Sequence, residues 1–96
     1  MDPKELLRLN RDAILSAAAR WGAQNVRLFG SVARGDAGPD SDIDLLVDFE
    51  PGRGLFDLGG LLSELEALLG RPVDVVTERS LSRYFRREVL SEAVTL

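Results

Sequence analysis

The sequence lacks several residue types on which common enzyme chemistries depend. Its 96 residues include no cysteine and no histidine, and Lys4 is the only lysine. Without cysteine there is no disulfide, thiol nucleophile or thiolate zinc site, and without histidine there is no imidazole base or ligand. A lysine so far from any glycine-rich segment also excludes a Walker-type phosphate loop, which needs Gly-Lys followed by Ser or Thr. Any catalysis or metal binding therefore depends on carboxylates.

Long apolar runs and an excess of positive charge are also missing. No run approaches the ~20 residues of a membrane span, and Met1 to Glu5 lack the basic-then-apolar pattern of a signal peptide. A chain of 96 residues with 45% hydrophobic and 29% charged content fits one globular core. We therefore expect a single cytoplasmic domain over residues 1–96 without membrane contact. The net charge of −4 argues against direct nucleic-acid binding, whose affinity comes from neutralising phosphates.

Apolar periodicity predicts alternating helices and strands. The predicted helices cover residues 3–20, 55–69 and 80–92, capped at Asp2 and Ser80, and the predicted strands cover residues 25–29, 42–49 and 72–76. The first helix has an apolar stripe formed by Leu6, Leu9, Ala13 and Ala17, and the leucines of the second helix are expected in the core. This order predicts an α/β (α+β) fold, a small mixed sheet with helices packed on one face.

Two aspartates, Asp42 and Asp44, lie on the second predicted strand. A strand sends alternate side chains to the same face, so both acids project together while Ile43 and Leu45 point into the core. The acids then stand roughly 6–7 Å apart, which is two rises of a strand. Carboxylates held this close repel each other, and a bound hard cation such as Mg²⁺ is the usual reason to tolerate them. The acidic face of this strand is a candidate metal-binding site.

A tight turn and a short helix come before these acids. Gly30-Ser31 directly follows the first predicted strand. Backbone N–H groups at a helix N-terminus favour an anion, Gly30 lets the backbone approach that anion closely, and Ser31 adds a hydroxyl donor. A phosphate cradle beside a two-acid metal site is the arrangement used for phosphoryl or nucleotidyl transfer.

Together these motifs resemble those of a known enzyme superfamily. Gly30-Ser31, ten further residues and Asp42-Ile43-Asp44 resemble the G-S-x10-D-x-D signature of the DNA polymerase β-type nucleotidyltransferases. The fuller segments G-S-V-A-R-G and S-D-I-D-L-L-V resemble the minimal nucleotidyltransferase (MNT) proteins. That family places a third carboxylate on a later strand, and Asp74 is the matching residue. The resemblance covers nearly the whole chain, from about Asn25 to the end.

The resemblance implies the nucleotidyltransferase fold and a role for each motif residue. Asp42 and Asp44 would bind two Mg²⁺ ions, while Asp74 would bind the catalytic ion and help to deprotonate the attacking hydroxyl. The implied reaction transfers a nucleoside monophosphate and releases pyrophosphate. The candidate nucleotide-binding residues, with ATP as substrate, are Gly30, Ser31, Arg34 and Ser41. For Arg34, a contact with the triphosphate and a solvent-facing position near Asp36 and Asp40 are equally compatible with the sequence.

The resemblance also implies a partner protein. MNT proteins are typically encoded beside a HEPN-domain RNase toxin and act as its antitoxin by adding AMP to a tyrosine. This chain has no residues left for an acceptor domain, so a partner would present the hydroxyl, in a hetero-oligomer. Two alternatives stay open. One is a non-catalytic subunit that neutralises a partner by docking, and the other is a nucleotidyltransferase acting on a small molecule such as an aminoglycoside antibiotic.

Three further features each have two interpretations. Gly59-Gly60 lies inside a predicted helix, where glycine is unfavourable. Either the helix approaches the sheet or a partner closely at these residues, or the glycines arose by neutral drift in a helix held by its leucines. We favour the second interpretation. The arginines at 79, 83, 86 and 87 form either a solvated helix face or a docking surface for an acidic partner. The apolar tail 93–96 either pairs with another chain or packs against the core.

Overall fold

The computed structural model describes all of residues 1–96 as five helices and a four-stranded sheet. The elements in chain order are α1 (Pro3–Leu9), α2 (Arg11–Arg20), β1 (Ala23–Phe29), α3 (Gly30–Arg34), β2 (Ile43–Phe49), α4 (Leu55–Leu69), β3 (Val73–Val76), α5 (Arg83–Glu92) and β4 (Val94–Thr95). A short 3-10 turn over Glu78–Ser80 precedes α5. None of the helices combines the length and the apolar character needed to cross a membrane.

The four strands form one mixed sheet in the order β3-β2-β1-β4. β1 runs antiparallel to both β2 and β4, whereas β2 and β3 are parallel. Parallel neighbours need a crossover connection, and α4 provides it between β2 and β3. The C-terminal tail packs against its own sheet, because β4 pairs with β1 and the Leu96 N–H donates to the Val26 carbonyl at 3.0 Å. The small mixed sheet predicted from the sequence is confirmed.

The core lies between one face of the sheet and the helices α1, α2 and α4. Alternate residues of β2, namely Ile43, Leu45 and Val47, are buried together with Val73 and Val75 of β3. Their buried partners on the helices are Leu7, Ile14, Ala17, Ala18, Leu61, Leu65 and Leu69. Removing these side chains from water is the main stabilising contribution, so they determine which face of each strand turns inward.

The N-terminal helix is divided into two, which corrects the prediction of one continuous helix over residues 3–20. α1 ends at Leu9 and α2 begins at Arg11. The side chain of the intervening Asn10 donates from Nδ2 to the Leu6 carbonyl at 2.8 Å. Asparagine competes for backbone groups in this way and weakens a helix locally. The predicted end at Arg20 is correct.

This division also changes the apolar stripe. Leu9 is 57% exposed and Ala13 is exposed, so both predicted core positions are wrong. Leu7 and Ile14 are buried in their place, while Ala17 is buried as predicted. A break between two helices resets the 3.6-residue phase, and a stripe drawn through the break therefore fails.

The bounds of α4 are as predicted, although its leucines do not all reach the core. Leu61, Leu65 and Leu69 are buried, whereas Leu55 is 86% and Leu68 is 37% exposed. The two exposed leucines lie on the flanks of the buried stripe, at the helical angles that 3.6 residues per turn gives them. The prediction of core packing was therefore wrong for these two residues.

The two glycines inside α4 differ from each other. A Cβ atom on Gly60 would lie 2.4 Å from the ring of Trp21, whereas one on Gly59 would meet nothing within 4 Å. Trp21 is fixed there by its Nε1, which donates to Glu64 Oε2 at 2.6 Å. The close-approach interpretation therefore applies to Gly60, although the neighbour is Trp21 and not the sheet.

The last helix begins later than its predicted start at Ser80. The Ser80 hydroxyl donates to the Thr77 carbonyl at 2.9 Å and closes the 3-10 turn, so Ser82 takes the N-cap position of α5. Only Val89 of α5 is buried, and Phe85 of the predicted stripe is 60% exposed. The four arginines at 79, 83, 86 and 87 are exposed, and none of them pairs with a carboxylate.

Candidate active site

The parallel pairing of β2 and β3 places two of the three predicted acids side by side. Asp44 and Asp74 are register partners on these neighbouring strands, whose axes lie about 4.8 Å apart. Asp42 lies just before β2, which begins at Ile43 and not at Asp42 as predicted. Both Asp42 and Asp74 are close enough to affect the charge of Asp44. The structure therefore brings the three predicted acids together at one edge of the sheet.

Core burial keeps these acids on the outer face. Ile43 and Leu45 on either side of Asp44, like Val73 and Val75 on either side of Asp74, are at most 6% exposed. Because side chains alternate along a strand, slipping either strand by one residue would bury a carboxylate and expose this apolar set. The alternation of apolar and acidic residues along these strands therefore determines both the packing of the core and the position of the acids.

Asp44 has the most perturbed carboxyl group of the site. Burial, followed by the charges of Asp74 and Asp42, raises the pKa of Asp44 from its ordinary 3.8 to about 6. Arg34 opposes this shift and Glu92 adds slightly to it. Desolvation and like charges both disfavour the ionised form, so a cation at this edge would relieve the repulsion.

Gly30 lies directly against Asp44 at the end of β1. Its φ of 77° is in the left-handed region, and a Cβ atom there would lie 2.3 Å from Asp44 Oδ2. Only glycine meets both conditions without strain. The preceding Phe29 is the register partner of Asp44, and α3 begins at Gly30 itself. The predicted phosphate cradle at Gly30 therefore lies directly beside the acids that are predicted to bind metal.

The backbone N–H of Gly30 already has an anionic partner. It donates to Glu92 Oε1 at 2.9 Å. The Arg34 guanidinium donates from Nη1 to both oxygens of the same carboxylate, at 3.3 and 3.2 Å, and from Nε to Asp36 at 3.3 Å. These bonds to Asp36 and Glu92 raise the pKa of Arg34. Arg34 thus faces Asp36 as one sequence interpretation had it, without an ion pair to Asp40.

Glu92 is the residue of this region that the sequence did not reveal. It is the last residue of α5, and 62 positions separate it from Gly30. A glutamate at the end of an amphipathic helix carries no local signal that distinguishes it from the solvated face. Only the packing of α5 against α3 brings its carboxylate to the cradle.

The two predicted serines occupy different settings. Ser31 is half-buried in the first turn of α3. The Ser41 hydroxyl accepts the Gly38 N–H at 2.9 Å, and the Ser41 N–H donates to the Gly38 carbonyl at 3.2 Å. Ser41 therefore closes the turn that leads the chain into Asp42.

The acids line an open edge and not an enclosed pocket. The two largest concavities, of about 600 and 550 Å³, contain none of the three acids in their lining. No group of three or more carboxylates yet converges on one point at which a metal ion could be bound. The acids lie close together without sharing one point of coordination.

Comparison with known proteins identifies the family. The model of the family described as Nucleotidyltransferase domain matches residues 11–96. Protein adenylyltransferase MntA of Thermococcus cleftensis is 45% identical over 75 residues, which make up 78% of this chain and 76% of that protein. The chain belongs to the nucleotidyltransferase domain family, and it is an enzyme of that class. The resemblance drawn from the sequence motifs is confirmed.

Solved structures agree with this assignment. A protein provisionally named a minimal nucleotidyltransferase superposes with a TM-score of 0.86 and 56% identity, covering 96% of this chain and 94% of that one. A crystal structure described as the toxin-antitoxin with AMP-PNP superposes with a TM-score of 0.75 and 26% identity, covering 90% of this chain and 71% of that one. The nucleotidyltransferase fold and the MNT type are therefore confirmed.

Proposed function

We propose that the protein transfers AMP from ATP to a hydroxyl group of a partner protein and thereby neutralises a toxin. The similarity to protein adenylyltransferase MntA supports the activity, and the similarity to a toxin-antitoxin structure with AMP-PNP supports the class of partner and the nucleotide. The observation that carries the proposal is the pairing of Asp44 with Asp74 directly beside Gly30. This pairing supports a site in which the carboxylates, through metal ions, and a backbone donor would act on one triphosphate.

The carboxylates at this edge fit a hard divalent cation. Carboxylate oxygens are ligands that Mg²⁺ prefers, and the raised pKa of Asp44 reflects burial and then the neighbouring negative charges that such an ion would neutralise. Asp42 and Asp44 would hold both of two Mg²⁺ ions, and Asp74 would share one of them. The ions would supply positive charge that neutralises the charge developing on the phosphates during transfer.

The residues around this edge would bind and orient the substrates. The Gly30 N–H, the Ser31 hydroxyl and the Arg34 guanidinium would donate to the triphosphate, and Ser41 would complete the nucleotide site. In the proposed reaction, the attacking hydroxyl oxygen bonds to the α-phosphorus of ATP. The bond from that phosphorus to the oxygen bridging the α- and β-phosphates breaks, and pyrophosphate leaves. Asp74 would accept the hydroxyl proton, since it is exposed and lies beside Asp44 on the neighbouring strand.

The acceptor in this proposal is a tyrosine hydroxyl on a HEPN-domain RNase toxin. A protein acceptor suits an open edge, because a large partner can insert one side chain there without an enclosing pocket. Enzyme and toxin would then form a hetero-oligomer. Docking alone would leave the partner unmodified, which makes chemical modification the property to test.

The test is intact-mass spectrometry of the co-purified toxin after incubation with ATP and Mg²⁺. We expect added AMP units with the wild type and with Asp12→Asn, whose fully exposed side chain on α2 makes it a control for the same kind of substitution away from the site. The double variant Asp42→Asn/Asp44→Asn should lose well over about tenfold in rate, because the metal ligands are removed.

Each alternative function predicts a different result of this experiment. Full labelling by the double variant would contradict the assigned site. A toxin of unchanged mass whose toxicity is still suppressed would indicate neutralisation by docking. Transfer of AMP to an aminoglycoside, without transfer to protein, would indicate a small-molecule acceptor.

A further inference from the structure

A carboxylate of the protein itself lies in the position that the proposed function gives to a phosphate. Glu92 accepts the Gly30 N–H at 2.9 Å and two hydrogen bonds from Arg34 at 3.3 and 3.2 Å. Both donors are among the residues expected to bind the triphosphate. The Gly30 N–H carries a single hydrogen, and Arg34 Nη1 already donates to both oxygens of Glu92, so Glu92 and a phosphate group would compete for these donors.

The position of Glu92 comes from the packing of the fold and not from a chance surface contact. Its side chain is only 19% exposed, and it is the last helical residue of α5, which packs against α3. Val89, one turn earlier, is the buried residue that fixes this helix. A flexible surface ion pair is worth little, but a partly buried carboxylate with three charge-assisted or backbone contacts is held more firmly.

We propose that Glu92 is a further residue of the nucleotide site, an internal anion that the triphosphate must displace in order to bind. The inference rests on the proposed function, because it assumes that the triphosphate uses Gly30 and Arg34. Glu92 then sets the affinity for ATP without taking part in the chemical step. Nucleotide binding would release Glu92 from both donors at once.

Displacement requires little movement of the backbone. The chain turns to an extended conformation at Ala93, directly after Glu92, and terminal turns of helices fray readily. A rotation of the Glu92 side chain would therefore be enough to free Gly30 and Arg34. Electrostatics favours its departure, since the carboxylate would otherwise repel the incoming phosphates and already acts on Asp44.

The test compares the affinities of variants of the full chain for AMP-PNP with Mg²⁺, measured by isothermal titration calorimetry. Glu92→Gln should bind about tenfold more tightly than the wild type, because the neutral amide competes poorly for charge-assisted hydrogen bonds. Glu88→Gln is the matched control, since it removes the same charge from the exposed side of α5 without a contact to the cradle. Its affinity should equal that of the wild type.

A second variant and a second measurement keep the inference falsifiable if Glu92→Gln folds poorly. Glu92→Asp retains the charge but withdraws it by one methylene, so it should also bind AMP-PNP more tightly. In the nuclear magnetic resonance spectrum of the free wild type, adding AMP-PNP should shift the Gly30 amide, and in free Glu92→Gln that amide should already be displaced from its wild-type position.

Two results would overturn the inference in distinguishable ways. If every variant binds AMP-PNP with the wild-type affinity, or if the Glu92 variants bind it less tightly, Glu92 supports the position of Arg34 and does not compete. That result leaves the proposed function intact. If neither the wild type nor any variant binds AMP-PNP, the nucleotide site itself is wrong, and the proposed function fails together with the inference.

Discussion

At the scale of single residues, the ionisation of Asp44 links the site to the stability of the fold. Its folded-state pKa of about 6 lies above the ordinary 3.8, so the folded protein binds this proton more tightly than the unfolded chain does. The linked stabilisation is present in full below the unfolded pKa and is lost as the pH rises through about 6. Metal-free protein should therefore become less stable between about pH 4 and pH 6.5.

The substitution Asp44→Asn removes the charge responsible for this loss. In EDTA at about pH 7.5 the variant should melt at a higher temperature than the wild type, by about 4–8 °C for each kcal/mol of repulsion relieved. Below about pH 4 the two proteins should melt at similar temperatures, because Asp44 is then largely protonated in both the folded and the unfolded wild type. Thermal melts across this range give the measurement.

Asp12→Asn serves as the control for this prediction, because its exposed carboxylate on α2 has no part in the crowded edge. It should keep the pH dependence of the wild type. An Asp44→Asn protein that is less stable than the wild type in EDTA would mean that this carboxylate is a structural group.

The residues of the edge could be predicted from the sequence to different degrees. Apolar alternation and motif spacing predict Asp42, Asp44 and Asp74, because both patterns can be read along the sequence itself. Glu92 could not be predicted, because its contact with Gly30 depends on how α5 packs. The sequence also could not decide whether Arg34 faces solvent or the nucleotide, because its contact with Glu92 depends on the same packing.

At the scale of elements, the two glycines of α4 make a matched pair. Both occupy the helix interior, where alanine is about 0.5–1 kcal/mol more favourable than glycine. Gly59→Ala should therefore stabilise the protein by about that amount, since a Cβ atom there meets nothing within 4 Å. Gly60→Ala should instead destabilise it by about 1–3 kcal/mol, the usual effect of overpacking, because its Cβ atom would overlap the Trp21 ring.

Chemical denaturation of the two single variants measures both effects. Trp21→Phe removes the part of the ring nearest to Gly60, so adding it to Gly60→Ala should recover part of the loss in a double-mutant cycle. Equal effects of Gly59→Ala and Gly60→Ala would mean that the helix stands away from Trp21 and that helix propensity alone decides.

Elements were predictable where one face is buried along their whole length. β2 has Ile43, Leu45 and Val47 buried on its core face, which is the alternating pattern that identified it, although Leu46 on the opposite face is buried too. The division between α1 and α2 depends on a hydrogen bond from the Asn10 side chain, and the late start of α5 depends on the bonds of Ser80. Such local bonds compete with the helix without altering its apolar periodicity, so the pattern does not report them.

At the scale of the whole molecule, nucleotide binding should stabilise the entire fold. Asp44 and Asp74 come from different strands and Gly30 from the start of α3, so only the folded state assembles the site. A ligand that binds only the folded state at 100 times its Kd adds about 2.7 kcal/mol. Mg²⁺ with ATP should therefore raise the melting temperature of the wild type.

In Asp44→Asn this increment should shrink or vanish, although the same substitution raises the melting temperature in EDTA. The two effects have opposite signs and one cause, the charge at Asp44. Melts of both proteins with EDTA and with Mg²⁺-ATP decide the matter, and an equal increment in the two proteins would place the nucleotide elsewhere.

The register of β2 against β3 has a consequence for how the enzyme is assembled and altered. Ile43 pairs with Val73, and the next register pair is Asp44 with Asp74. When the apolar side chains of this β2–β3 seam pack in register, the two acids are therefore aligned as well. A chain in which β2 and β3 have paired in this register therefore also has these two acids in place. Exchanges among apolar residues of the seam that keep its alternation should therefore leave catalysis in place, which makes the core the more permissive region for redesign.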